Sequence, residues 1–508
     1  MDTGCGSGGG SGAVGWGMTN HTFTPTLAPD VLDRLHAYAA PFARLFQRRE
    51  QFRQGQIYLH GLLLDGERKS IEPMSRRVPD GDEQGLQQFI NQSPWDAGPV
   101  QRAYRARMAV ELAEPGGVIV IDDTGFAKQG KHSVGVTRQY SGTLGKVGNC
   151  QIAVSLHYAT RAADYPLALR LYLPEAWTEA LERLEAAHVP AAERTFQTKW
   201  KIALDLLDTV RAEGLPHAVV VADAGYGVVG EFRIGLEARD ERYIVGISGE
   251  ESIFATPPTW VPKQPTGARG RPPRRAYLAP ETPPPSAVHA LATSLPRTTV
   301  SWRDGTKGSP LTAEFAWVRV SPAHRWLNGV PADAIPTPEE AERWLLVEWR
   351  ADGTIKYALS NLPADTSLEQ AVSWWKERYQ VEQGYRQLKR ELGLDHFEGR
   401  SWNGFHHHAT MTFLAYGFLA LEQHRGARVA HLDGATPPPE GVPRPPLFGA
   451  PAFRPYAAPY STISIHPAAS NAGPAAFTQD VTISRSSART PAEKSRTDVS
   501  YRKGATVG

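Results

Sequence analysis

Two short apolar runs that each end in aspartate constrain the fold of this chain more than any other feature. The run GGVIVIDD reaches Asp122 and Asp123, and the run HAVVVAD reaches Asp223. Both runs are rich in β-branched residues and are bounded by turn residues, which is typical of strands buried in a sheet. A carboxylate that ends such a strand projects from the edge of the core, so we expect an ion to reach these aspartates.

The segments around these runs alternate in a recognisable order. Strand patterns are followed by an amphipathic helix, a strand, a second helix and a last strand, in the segments GGVIVIDD, NCQIAVSLHYA, YPLALRLYLPE, TKWKIALDLLDTVRAEG, HAVVVADAGYG, VVGEFRIGLEARD and RYIVGIS. Three strands, helix, strand, helix, strand is the order of a ribonuclease H-like core. The predicted fold class is therefore α/β, with a mixed sheet flanked by helices.

Composition shifts divide the 508 residues into six predicted segments. They are a disordered Gly/Ser-rich leader (1–18), a helical DNA-binding domain (19–115), the first part of the catalytic core (116–250), an inserted basic and mainly β subdomain (251–362), the C-terminal helical part of the core (363–430) and a disordered Pro/Ser-rich tail (431–508). Low hydrophobicity and abundant proline predict disorder in the tail.

Bulk composition excludes several classes of protein. The charged fraction of 21% and the hydrophobic fraction of 41% are ordinary for a soluble globular protein. Two cysteines cannot form a disulfide framework or a four-cysteine zinc site. The longest apolar run near the end, MTFLAYGFLAL, is shorter than the roughly 20 residues that span a bilayer. We expect a soluble protein of the reducing cytoplasm with no membrane contact.

Local clusters of basic residues carry the nucleic-acid signal, because the net charge is only +2. Nine Lys or Arg residues lie between Arg34 and Arg77, which predicts a DNA-binding module, with a helix-turn-helix conceivable around Glu67–Arg77. A solvated face of a helical bundle explains the same charges equally well. A second basic cluster, between Lys263 and Lys307, belongs to the predicted insertion.

A third carboxylate lies on the helix predicted near 375–390. Trp375, Arg378, Glu382 and Lys389 are spaced by 3, 4 and 7 residues. At about 100° per residue they fall within an arc of about 60°, so they share one predicted helical face. Glu382 would reach a metal ion, while Arg378 and Lys389 would meet phosphates on either side. The alternative is an ordinary salt bridge between Arg378 and Glu382.

Long motifs of the chain resemble a known family. The segments VIVIDDTGFAKQGKHSVGVTRQYSGTLGKVGNCQIAVSLHYA, VVADAGYG and YRQLKRELGLDHFEGRSWNGFHHH are similar to the insertion-sequence seven-zero-one transposases, which belong to the insertion-sequence-four-like group of bacterial DDE transposases. The resemblance runs from about residue 40 to residue 425. The wider group carries a Tyr, Arg, Glu, Lys signature, which Arg378, Glu382 and Lys389 match. Trp375 replaces the tyrosine and removes its hydroxyl.

The resemblance implies a ribonuclease H-like nuclease that depends on two Mg²⁺ ions, for which Mn²⁺ can substitute. Asp122, Asp223 and Glu382 would be the catalytic residues and the metal ligands, with Asp123 as the alternative first ligand. The expected partners are double-stranded DNA, both the inverted-repeat ends and the target, and a second copy of the chain in the DNA complex. The expected reaction is cut-and-paste transposition at the bacterial nucleoid.

Six basic residues are predicted to contact this DNA. They are Lys128, Lys131, Arg138, Arg378, Arg386 and Lys389. The run His406–His408 suggests a metal site, but no cysteine or second histidine cluster lies nearby, which favours a role at a helix start or a phosphate contact.

Two other functions remain compatible with parts of the pattern. One is a catalytically inactive or domesticated DNA-binding protein derived from a transposase, which the unusual ends of the chain favour. The other is a paired-carboxylate hydrolase such as a glycosidase. That class predicts aromatic sugar platforms and no basic insertion, and it leaves the Arg–Glu–Lys face unexplained.

Overall fold

A computed structural model of the protein describes residues 27–262, 275–304, 309–323, 330–331 and 335–432. The predicted leader and nearly all of the predicted tail lie outside these residues. So do six basic residues of the predicted insertion, Lys263, Arg269, Arg271, Arg274, Lys307 and Arg325.

The helices fall into three groups along the chain. The first group is α1 (Pro29–Ala39), a 3₁₀ helix (Ala40–Leu45), α2 (Arg49–Leu63), α3 (Ile71–Ser75), α4 (Glu83–Asn91) and α5 (Ala97–Leu112). The second is α6 (Glu175–Thr178), α7 (Leu181–Ala186), a 3₁₀ helix (Ala191–Glu193), α8 (Lys199–Ala212), α9 (Ala224–Gly227) and α10 (Gly230–Glu237). The last is α11 (Val288–Ala292), α12 (Pro338–Ala341), α13 (Leu368–Lys376), α14 (Arg378–Arg390) and α15 (Trp402–Leu432). Within the described ranges, no helix combines the length and the apolar character needed to cross a membrane.

The strands lie between these helices. They are β1 (Val118–Ala127), β2 (Thr137–Ser141), β3 (Lys146–Ala159), β4 (Asp164–Leu171), β5 (Val219–Ala222), β6 (Tyr243–Ile247), β7 (Ser252–Phe254), β8 (Trp260–Pro262), β9 (Arg275–Leu278), β10 (Ser286–Ala287), β11 (Thr298–Asp304), β12 (Pro310–Pro322), β13 (Val330–Pro331), β14 (Arg343–Trp349) and β15 (Ile355–Ser360).

Twelve strands form one mixed sheet in the order β10-β7-β12-β14-β15-β6-β5-β1-β3-β2, with β11 paired to β12 and β4 paired to β3. β3 runs antiparallel to β1 and β4, whereas β5 runs parallel to β1 and β6 runs parallel to β5. The expected strands and helices between residues 116 and 250 are present in the expected order. The hairpin strand β2 was not among them. This mixed α/β arrangement is consistent with a DDE nuclease-like fold.

Most strands of the region expected to be an inserted subdomain join the central sheet, and only three short ones form a sheet of their own among the described residues. Its strands β15, β14 and β12 pair antiparallel in succession, and β15 pairs with β6, so they extend the central sheet. Without a neighbour, the edge of β6 would leave backbone N–H and C=O groups unpaired, and β15 forms hydrogen bonds with them. Part of the region keeps a smaller hydrophobic cluster around Ile253, Leu345 and Leu359. β8, β9 and β13 form a separate three-stranded sheet.

The N-terminal helices share the main hydrophobic core with the sheet. α1 buries Val31, Leu35 and Tyr38, and the rings of Tyr38 and Phe418 of α15 lie 5.5 Å apart. One continuous cluster of buried apolar side chains includes these helices and β1. Their packing therefore continues across the boundary expected near residue 115.

Candidate active site at the ends of β1 and β5

The register of β1 against β5 places the two predicted aspartates side by side. Ile121 and Ala222 are the last paired residues of the two parallel strands, and Asp122 and Asp223 follow them directly. Neighbouring strands lie about 4.8 Å apart, so both carboxylates start from the same edge of the sheet. β1 does not end at Asp122 as expected, because it continues to Ala127 along β3.

The electrostatic surroundings of Asp122 show that the site concentrates negative charge. Burial raises the pKa of the Asp122 carboxyl to about 7, Arg378 opposes this rise, and the nearby Asp223 adds to it. The backbone N–H of Asp123 donates to Asp122 Oδ1 at 2.8 Å. A buried carboxyl beside a second carboxylate is a group that a bound cation would stabilise in its ionised form.

Asp123 has a different environment from Asp122. Its Oδ2 lies 2.6 Å from Nζ of Lys199, the first residue of α8. Successive residues of a strand face opposite sides of the sheet, which separates the two carboxyl groups. Because Asp123 already has a cationic partner, the arrangement favours Asp122 as the ligand for an ion.

Asp223 caps the short helix α9. Its Oδ1 accepts the backbone N–H of Gly225 at 2.9 Å, the helix-capping role that a strand-end aspartate commonly takes. Tyr226, in the same turn, is 3% exposed, and its hydroxyl has no hydrogen-bond partner among the described residues. Burial raises the pKa of this phenol, and Asp122, Asp123 and Asp223 raise it further. Sequence reasoning missed Tyr226, although it follows Asp223 by three residues.

The predicted four-residue helical face is wrong in one respect. α13 ends at Lys376 and α14 begins at Arg378, so Trp375 lies on a different helix from the other three residues. The buried Trp375 indole N–H donates to Glu348 Oε2 of β14 at 3.0 Å. The aromatic residue therefore tethers the end of α13 to the extended sheet.

The stripe of α14 that carries Glu382 faces the aspartates. Arg378 opposes the rise in the pKa of Asp122 that burial causes. Burial and, after it, Asp122 raise the pKa of Tyr385, and Asp122 opposes the fall in the pKa of Lys389 that burial causes. Glu382 lies four residues after Arg378 and three before Tyr385, which is one face of a helix. Its side chain is exposed, and the described residues contain no ion pair between Arg378 and Glu382 within 4.0 Å. The structure also brings together no group of three acidic, His or Cys side chains that could hold a metal, within the ranges that it describes.

Lys389 points into the protein. Its Nζ donates to the Gly125 carbonyl oxygen at 2.8 Å and to Thr143 Oγ1 at 3.1 Å. Burial lowers the pKa of Lys389 to about 8, although Asp395 and Asp122 oppose this. Its ammonium is held beside β1 and does not face solvent as an exposed phosphate contact would.

The other predicted DNA contacts differ in exposure. Lys128 is half-buried and donates to the backbone carbonyl of Phe397. Lys131, Arg138 and Arg386 are exposed. Only these last three have the accessibility that a phosphate contact requires.

The three consecutive histidines hold helices together and do not form a site. His407 contacts the carbonyl oxygens of Ile90 and Trp95 at 2.8 Å each, and Nδ1 of His408 lies 2.7 Å from the Tyr58 hydroxyl. Nδ1 of the partly buried His406 lies 2.9 Å from the Trp402 carbonyl oxygen. The expected phosphate contact is therefore wrong, because all three rings are engaged inside the fold.

Most basic side chains of the predicted N-terminal DNA-binding region are engaged. Arg34, Arg53, Arg68 and Arg76 form ion pairs, and Lys69 is buried against backbone carbonyls. The only helix within Glu67–Arg77 is the five-residue α3. This geometry does not match a recognition helix. Binding of DNA by residues 19–115 stays a prediction.

Comparisons with known proteins agree with the motif resemblance. Residues 41–309 match the family described as DDE superfamily endonuclease. A probable transposase for insertion sequence element IS701 from Microchaete diplosiphon is 31% identical over 203 residues, which are 39% of this chain and 50% of that protein. The match thus spans half the length of this relative. A piggyBac transposase synaptic complex with hairpin DNA has 9% identity and a TM-score of 0.30 over 82% of this chain and 84% of that chain, which is too low to support an argument.

Proposed function

We propose that this chain, which belongs to the family of DDE superfamily endonucleases, is a DNA transposase that cleaves and rejoins DNA strands through Asp122, Asp223 and Glu382. The observation that carries the proposal is the register of β1 and β5, in which Asp122 and Asp223 directly follow the last parallel pair, Ile121 and Ala222. The strand order β4-β3-β1-β5-β6 is that of a ribonuclease H-like core, and it supports the same assignment.

The donor set fits a hard divalent cation. Carboxylate oxygens are the ligands that Mg²⁺ prefers, and Asp122 is destabilised as an anion until a positive charge approaches. Asp122 and Asp223 would hold the metal, and Glu382 is the proposed third ligand from the facing stripe of α14. Two Mg²⁺ ions bound there would activate the attacking oxygen and stabilise the leaving oxygen of an in-line phosphoryl displacement. Mn²⁺ is expected to substitute.

The surrounding side chains serve this chemistry in different ways. Arg378 already interacts with Asp122, and its guanidinium is suited to a phosphate held beside the carboxylates. Lys199 keeps Asp123 engaged in a separate ion pair. Tyr226 stays protonated next to three aspartates, so its unpartnered hydroxyl is available to donate a hydrogen bond to a nearby oxygen.

The proposed substrate is double-stranded DNA at the inverted-repeat ends of the element, followed by target DNA. Exposed Arg386, Lys131 and Arg138 would contact the phosphate backbone. We further propose cut-and-paste transposition by a homodimer assembled on the two ends. The relative from Microchaete diplosiphon, whose name describes it as a probable transposase, supports this direction.

A cleavage assay with matched variants tests the proposal. The substrate is a supercoiled plasmid that carries the DNA flanking this gene, with Mg²⁺ for cleavage and Ca²⁺ for binding. We expect Asp122→Asn, Asp223→Asn and Glu382→Gln each to abolish cleavage, while end binding stays within a few-fold. Glu369→Gln, an exposed glutamate on the neighbouring α13, is the control and should cleave normally.

Two results would contradict the proposal. Cleavage by the Glu382→Gln protein would remove Glu382 from the ligand set. A wild-type protein that binds the ends but never cuts them would indicate an inactive DNA-binding protein.

A further inference from the structure

The hairpin formed by β2 and the start of β3 borders the candidate active site. Its turn, residues 142–145, folds back onto β1, where Thr143 Oγ1 accepts the Gly125 backbone N–H at 3.3 Å and the Lys389 ammonium at 3.1 Å. Gly125 follows Asp122 by three residues, which is about 10 Å along a strand. The tip of the hairpin is thereby held about 10 Å along β1 from Asp122.

One face of the hairpin packs against the rest of the protein. The buried Ser141 packs so closely on Gly125 that a Cβ at Gly125 would lie 2.0 Å from the serine Oγ. Gln139 Nε2 donates to the Cys150 carbonyl oxygen at 3.0 Å. These contacts fix the inner face, so the side chains that alternate with them point outward.

The outer face presents an unusual combination of side chains. Tyr140 and Val147 are directly opposite each other and are 63% and 51% exposed. Arg138, two residues before Tyr140, is exposed and forms no ion pair with any described residue. Lys146 is also exposed, but it pairs with Ser141 and so lies on the inner face. We call Arg138, Tyr140 and Val147 the hairpin face.

The positive charge of the hairpin face has no acidic residue close to it in sequence. Residues 124–149 contain four Lys or Arg residues and no Asp or Glu. In the N-terminal cluster, by contrast, four of the nine basic residues form ion pairs, those of Arg34, Arg53, Arg68 and Arg76. A guanidinium and a phenol on one face are donors that suit phosphate oxygens, and the aromatic and aliphatic groups can pack on sugars.

We propose that the hairpin face is a docking surface for duplex DNA, which holds the phosphates next to the strand that is cut. This inference rests on the proposed function, because it takes its partner to be the DNA that Asp122 and Asp223 act on. It adds an aromatic and aliphatic contact surface that the carboxylate chemistry does not require.

Salt-dependent binding of a duplex tests the docking surface. Full-length protein would be titrated, in Ca²⁺, into a fluorescent duplex of about 40 base pairs taken from the DNA flanking this gene, at several salt concentrations. Arg138→Ala should weaken binding about three- to tenfold and reduce the slope of log K against log salt by about 0.9. Tyr140→Ala should weaken binding by a similar factor, and Tyr140→Phe by less, because only the hydroxyl donor is lost.

Two variants are matched controls. Lys356→Ala removes an exposed positive charge on β15, five strand positions away from β2 in the same sheet. Tyr277→Ala removes a tyrosine that is 44% exposed on the separate three-stranded sheet. Both should bind like wild type. Melting curves of Arg138→Lys and Tyr140→Phe show whether the hairpin face tolerates substitution, since these changes preserve its shape.

The outcomes separate this inference from the proposed function. Arg138→Ala and Tyr140→Ala proteins that fold and bind with wild-type affinity and salt slope would overturn the docking surface. A change in sedimentation instead of DNA affinity would also overturn it, since the hairpin face would then join two copies of the chain. A wild-type protein that binds through this surface yet never cleaves with Mg²⁺ would support the docking surface and contradict the proposed function.

Discussion

Replacing Asp122 by asparagine should make the metal-free protein more stable. In the folded chain the pKa of this carboxyl rises from 3.8 to about 7, mainly through burial. Between these values the folded state keeps a proton that the unfolded state has released, so stability falls as pH rises and the loss is complete above about pH 7. At about 1.4 kcal/mol per pH unit, the loss is at most about 4 kcal/mol. Asparagine carries no charge, so the Asp122→Asn protein does not lose this stability as pH rises.

The assay is thermal unfolding in a chelator at pH 5 and pH 8. Asp122→Asn should raise the melting temperature relative to wild type more at pH 8 than at pH 5, because wild type is penalised only after Asp122 must ionise. Asp123→Asn is the control. It loses the 2.6 Å contact with Lys199 and should bring no gain at pH 8. Adding Mg²⁺ should then stabilise wild type but not Asp122→Asn, because binding to the folded state alone stabilises it.

An Asp122→Asn protein that is no more stable than wild type at pH 8 would refute the reasoning, since the carboxylate would then carry no burial penalty. Equal gains at both pH values would point to packing and not to charge. Stabilisation of Asp123→Asn in place of Asp122→Asn would assign the strained carboxylate, and with it the first ligand, to Asp123.

The remaining predictions concern stability. Glu348→Ala should lower the free energy of unfolding, measured by chemical denaturation, by about 3–5 kcal/mol, because it leaves the ammonium of Lys376 without its buried partner. Glu348→Gln should lower it by less. Equal stability of the wild type and the two variants would contradict this prediction. Burial lowers the pKa of His157 to about 3 and that of His408 to about 4. Both rings stay neutral in the fold while the unfolded chain is protonated below about pH 6.5, so each should cost about 1.4 kcal/mol per pH unit as pH falls towards 4. A His408→Gln protein with an unchanged acid transition would be evidence against that assignment.

The local pattern of apolar and β-branched residues predicted much of the central fold. The β-branched runs that end at Ile121 and Ala222 are strands because their residues suit a buried sheet and are too few for a helix. The extension of the sheet through β15 and β14 could not be predicted in the same way. Pairing between residues more than a hundred positions apart depends on which edge is left open, and no local pattern records that.

The site was predictable in its residue types but less so in its geometry. The strand patterns predicted that Asp122 and Asp223 lie at one edge of the sheet, and the register of β1 and β5 does bring these two residues side by side, although β1 continues past Asp122. Periodicity alone treated residues 375–390 as one helix, whereas Trp375 belongs to α13 and hydrogen-bonds Glu348. A helix break between two good helix-forming segments leaves the apolar spacing nearly unchanged, so the periodicity does not reveal it.

Counting basic residues along the chain does not show which of them form ion pairs in the fold. The nine between Arg34 and Arg77 looked like the stronger DNA signal, yet Arg34 pairs with Glu422 and Arg68 with Glu398, partners more than three hundred residues away. A residue count cannot see such partners. The stretch from 124 to 149 has fewer basic residues but no acid at all, so partners close in sequence cannot neutralise them, and the structure leaves Arg138 without an ion pair among the described residues. Both the number of basic residues and the acidic residues around them are therefore needed to predict an available anion-binding surface.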